Sequence, residues 1–120
     1  MKTADLTDTA LDWAVCKAAG LIDSYSITPR GFLDLRMCED PVVFPSTSWE
    51  NGGPIIEREH ICWFHYQSDE EGQPCTPGWS AHIHADGRHD LGPTPLIAAM
   101  RCYVASKLGE EVNIPKELMP

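Results

Sequence analysis

The residues best equipped for chemistry crowd into one half of the chain: His60, His65, His82, His84 and His89, with Cys62 and Cys75 among them. On a strand, His82 and His84 project from the same face. A His-x-His pair can chelate zinc if a third ligand, such as His65 or Asp86, arrives from a neighbouring strand. No recognised metal motif frames these residues, and histidines on a half-exposed strand are common, so His65, His82 and His84 stand as the weakest of the site candidates. Cys62 or Cys75 with a histidine makes at most a bare dyad, because no glycine-framed turn presents either thiol as a nucleophile. A phosphate-binding lysine loop, a dinucleotide fingerprint and a paired-carboxylate motif are all missing from the sequence. It therefore points to a binder rather than an enzyme, and no cofactor is assigned. A His-dependent metal hydrolase is kept as the last alternative.

Two other stretches carry binding chemistry. Residues 45–54 read as a loop in which Ser46, Thr47, Ser48 and Asn51 supply hydrogen-bonding groups, Trp49 a stacking face, and Gly52 and Gly53 backbone amides that can approach a ligand. The second stretch opens at Thr94, a helix start that can receive a phosphate, and carries Arg101, the one charge in a long apolar run. Brought together, Ser48, Trp49, Asn51, Gly52, Gly53, Thr94 and Arg101 would line a cleft for a small anionic, nucleotide-like ligand. The plainer alternatives are a tight connection at 45–54 and an arginine that reaches solvent or pairs with an acid.

The elements that must position these residues are unevenly marked. The spacing predicts a helix from Thr94 as N-cap, with Pro95 in its first position, to a stop at Gly109. Leu96, Ile97, Met100, Val104 and Leu108 form its core stripe, while Ala98, Ala99, Cys102 and Ala105 leave the opposite side nearly as apolar. Such a helix has to be covered on more than one side. A second helix runs from Thr7 to Gly20, with Leu11, Ala14, Val15 and Ala18 inward and Trp13 off the stripe but expected to pack. Short β-like pieces follow around residues 24–27, 32–36 and 42–44. Residues 54–60 fit a helix or a strand. Residues 61–66, apolar on both faces, read as a central strand; residues 79–85 alternate, as a strand with one buried and one polar face does. The result is an α+β fold: one domain over residues 1–120, its N- and C-terminal helices packed with a central, mostly antiparallel sheet, like an α/β/α sandwich. A tail from about residue 110 is expected to be extended and partly mobile.

With 120 residues the chain has room for one core. Its formal charge of −9 opposes non-specific attraction to nucleic acid or to anionic lipid. Neither a leader-like apolar run nor a membrane-span length is present, which points to the cytoplasm. The five cysteines are scattered and odd in number, as expected of free thiols, with Cys16 and Cys102 placed as small helix-packing residues.

The run Ser48-Trp49-Glu50-Asn51-Gly52-Gly53-Pro54-Ile55-Ile56-Glu57-Arg58, the block from Gly92 to Gly109 and the opening helix around Trp13 together resemble the NinX-like family of small phage and prophage proteins. That family is related in pattern to the phage α/β/α sandwich domain. The resemblance implies an accessory role inside an infected bacterium and supplies no catalytic residues. Phages carry small proteins that sequester the nucleotide signals of bacterial defence, and a non-catalytic binder of such an anionic signal suits the residues above. The alternative, of a different class, is an interaction factor that inhibits or recruits a host protein. Apolar cover on both sides of the last helix would then also allow a homo-oligomer.

Overall fold

In the computed structural model, residues 1–20, 26–27, 33–34, 42–43, 45–68, 71–83 and 89–118 are described. Helix α1 spans Asp8–Ala18. Three two-residue strands follow, β1 (Ser26–Ile27), β2 (Leu33–Asp34) and β3 (Val42–Val43), paired antiparallel in that order. Helix α2 (Trp49–Glu59) leads into β4 (Ile61–Ser68), β5 (Pro74–Ile83) and β6 (Asp90–Gly92), a second antiparallel sheet ordered β4-β5-β6. Helix α3 (Pro95–Leu108) closes the main body.

The class is α+β, a compact globule of helices and antiparallel sheet. The layers run sheet, α3, α1, with α3 in the middle. On the inner face of the second sheet, Ile61 and Ala81 are buried, and a Cβ on Gly92 would meet the backbone of Ala98 at 2.6 Å. On the other side of α3 lie the buried Leu11, Ala14 and Val15 of α1. This explains the low polarity of α3, whose buried residues include Leu96 and everything from Ala98 to Ala105. The helices thus lie on one side of this sheet instead of flanking it, and its outer face keeps Phe64 and Leu91 exposed.

The helix ends follow local chemistry. Thr94 is extended, and its hydroxyl accepts the Ile97 amide at 3.1 Å, with Pro95 just inside the helix. Gly109 stops α3 at φ +90°, and Gly20 follows α1 at φ +75°. Trp13 is buried, with Lys17 over its ring at 5.0 Å.

Three expectations change. Residues 49–59 form a helix where 45–54 read as a loop, so the choice left open at 54–60 resolves to helix, ended by His60 in the left-handed region. Low-propensity glycines are tolerated because Gly52 fits where a Cβ would strike the Pro45 carbonyl oxygen and Leu96. Strand β4 is an edge of its sheet among the described residues, where a central strand was expected; a strand with two apolar faces looks the same in either place. The tail also packs: Val112, Ile114 and Leu118 are buried, and the Val112 and Thr3 amides donate to the Met1 and Glu110 carbonyls. Its apolar residues, two or four apart, have a core to enter.

Candidate functional site

A turn at residues 45–47 is held to α1 by Asp12, whose buried carboxylate accepts the Ser46 amide at 2.8 Å. From this anchor α2 begins at Trp49, and Gly52 lets its first turns close on Leu96 of α3. The result is a recess of about 190 Å³ between the start of α2 and the start of α3. Ser46, Thr47 and Trp49 line one side, and Thr94, Pro95, Leu96 and Ile97 the other. Ser46 is fully buried and its hydroxyl has no partner among the described residues.

Trp49 and Thr94, predicted to meet, do share this recess. Their predicted companions are used otherwise. The Asn51 and Gly52 amides donate to the Ser48 carbonyl at 3.2 and 2.9 Å, so they close the helix and do not face a ligand. Gly53 lies inside α2 with open space where a Cβ would stand. The helix start offers little as well: Pro95 has no N–H, and the Ile97 and Ala98 amides donate to the Thr94 hydroxyl and carbonyl. Only the Leu96 amide is left of the first three beyond the cap.

Arg101 is not among the residues lining the recess. It is 9% exposed, its Nε donating to the Leu6 carbonyl at 2.9 Å and an Nη to the Leu91 carbonyl at 2.8 Å. Burial lowers its pKa, opposed by the charges of Asp5 and Asp90. Its place is a cross-tie between the N-terminal turn, β6 and α3. A larger hollow of about 320 Å³ has Lys2, His89, Asp90, Glu110 and Glu111 in its walls. Carboxylates outnumber cations there, so it does not suit an anion either.

The histidines divide by strand parity. His65 pairs with Trp79 on the inner face of the sheet, whereas His82 pairs with Cys62 on the outer face, so His65 and His82 cannot share one ion. His82 and His89 rings lie 5.1 Å apart, and the Ser80 hydroxyl is 3.3 Å from His89 Nδ1. His84 and Asp86 are outside the described residues. Among those described, no three His, Cys, Asp or Glu side chains converge as a metal site.

Sequence reading gave Trp49 a ligand to stack and passed over the exposed aromatic side chains around it. Trp49, at the start of α2, is 51% exposed and lies 5.8 Å from Trp63 of β4, itself 39% exposed. On the other face of β4, Phe64 is 45% exposed, and Leu91 on β6 is 54% exposed. Glu50 and Glu57, seven residues apart on α2, are both exposed, and Glu50 borders a hollow that Val15 and Cys16 of α1 also line. The signal was the adjacent Trp63 and Phe64 in a strand with no charge: such a pattern marks either a central strand or an edge built to be covered.

The family model of Bacteriophage P22 NinX matches residues 2–107. The chain belongs to the NinX family. Its matched span takes in α1, both sheets and nearly all of α3, so the recess, the tryptophan pair and Arg101 all fall inside the family domain. The curated proteins contain no match to this chain. Among the described residues, no helix is long and apolar enough to cross a membrane.

Proposed function

We propose that this NinX-family chain is a non-catalytic interaction protein that works in the cytoplasm of the infected bacterium and recruits or inhibits a host protein. The observation that carries this reading is the Trp49–Trp63 pair, half exposed at the rim of a recess. Large aromatic side chains beside a pocket are what protein interfaces use as anchors. Exposed indole faces in a chain of charge −9 favour a partner with basic groups. The test is photo-crosslinking from position 63 in infected cells, with position 116, exposed on the tail, as control. The expected result is one host protein captured from position 63 alone, which binds the purified chain and binds Trp49→Ala at least about tenfold more weakly. Equal capture from both positions, or equal binding by the variant, refutes it.

A second reading is favoured by the buried Ser46 hydroxyl. A small planar ligand could enter the recess, stack on Trp49 and meet that hydroxyl and the Leu96 amide. Sequestration of an anionic nucleotide signal would need a cation at the recess, and Arg101 is held by two carbonyls elsewhere. The version that fits is therefore the ring end of a nucleoside with any phosphates turned outward. Thermal shift with nucleosides and their phosphates separates the versions. Stabilisation by the nucleoside, no greater with phosphates, supports the ring reading, and no shift with either removes it.

A further inference from the structure

Strand β4 has the features of an unfinished sheet. Among the described residues it pairs with β5 alone, and residues 62–65 are exposed one after another, so both faces of the strand stand open. The register with β5 is regular from Ile61 to Tyr66, with a shift only between Tyr66 and Ser68. Natural edge strands are usually protected by a lysine, a proline, an inward-pointing charge or shortness. The eight residues of β4, Ile-Cys-Trp-Phe-His-Tyr-Gln-Ser, hold no proline and no Asp, Glu, Lys or Arg. At about 3.3 Å per residue the strand offers roughly 26 Å of edge.

We infer that the β4 edge accepts an extended, basic segment of a partner protein as an added strand. This rests on the interaction reading above and names its mode. Main-chain bonds to the edge would supply general affinity, and alternate side chains of the segment would fall on opposite faces. On the inner side they would meet Trp63 and its neighbour Trp49, exposed rings in a chain of charge −9, which suits arginine or lysine. On the outer side they would meet Phe64, which suits an apolar residue. Charge selects this occupant over a second copy of the chain. Two copies joined edge to edge would bring two charges of −9 into proximity.

The test uses the full chain and an eight-residue peptide of alternating Arg and Val with blocked ends. Its controls are a Glu/Val peptide and Arg/Val peptides N-methylated at every second amide, one for each set. Titration is read by tryptophan fluorescence, main-chain pairing by NMR amide exchange at residues 62–65, and self-association by mass in solution. The expected result is binding of the Arg/Val peptide that weakens with salt. About tenfold weaker binding is expected for the Glu/Val peptide and for one of the two N-methylated peptides, with about tenfold slower exchange at the outward amides of β4. Trp63→Lys and, independently, Phe64→Lys should each weaken it, the first more. Equal binding by both N-methylated peptides with unchanged exchange overturns strand addition while leaving the tryptophan surface as a contact site. No binding by the Arg/Val peptide, or slow β4 exchange tracking a dimer of the free chain, overturns the inference, and the crosslinking result still decides the broader reading.

Discussion

Replacing Arg101 by methionine tests whether this arginine belongs to the fold or to a ligand. Methionine keeps the length and apolar volume of the stem but removes the donors that reach the Leu6 and Leu91 carbonyls at 2.9 and 2.8 Å. A hydrogen bond from a charged donor contributes about 1.5–3 kcal/mol, and both acceptors lose their partner in a water-poor site, so Arg101→Met should destabilise by about 3–5 kcal/mol. At a urea slope of about 1–2 kcal/mol/M, the unfolding midpoint should fall by roughly 2–3 M. Arg101→Lys retains the charge without the planar fork and should lose about half as much. Equilibrium urea unfolding, followed by circular dichroism so that tryptophan changes do not intervene, measures both. A loss under about 1 kcal/mol for the methionine variant would refute the reasoning, because surface substitutions fall in that range.

Gly92→Ala should destabilise by about 1–3 kcal/mol in the same assay. Its Cβ would stand 2.6 Å from the Ala98 nitrogen and 3.0 Å from the Ala98 Cα, backbone atoms that cannot swing aside. Thr94→Ala should lose about 1 kcal/mol with Thr94→Ser close to wild type, since the cap to Ile97 needs only the hydroxyl; equal losses would refute the capping role. His60→Gly should raise stability by about 0.5–1 kcal/mol in thermal unfolding, because His60 sits at φ +55° where a side chain is strained. A fall in Tm would mean that the imidazole makes a contact worth more than that strain.

Where the sequence was readable, the cause was local. Thr94, Pro95 and Gly109 declare the ends of α3 through their own backbone requirements, and the apolar run between them required cover on two sides, which α1 and the sheet provide. Local signals misled at residues 49–54, where Gly52, Gly53 and Pro54 argue against a helix and a tertiary fit between Gly52, Pro45 and Leu96 overrides them. Arg101 shows the limit most clearly. Its position at the margin of the core stripe was legible, but the carbonyl it meets belongs to Leu6, 95 residues away. The aromatic edge was hidden for the same kind of reason: whether β4 is central or peripheral depends on strand order, which side-chain pattern alone does not encode.

The account stands most directly on the surface formed by Trp49 and Trp63. The decisive measurement is the affinity of the crosslinked host partner for the wild-type chain, Trp49→Ala, Trp63→Ala and the double variant, each first shown to unfold at the wild-type urea midpoint. The account predicts a loss of about 2 kcal/mol or more, roughly thirtyfold, for the double variant, with the single losses non-additive because the rings act as a pair. Affinities within twofold of wild type for all three variants would contradict it.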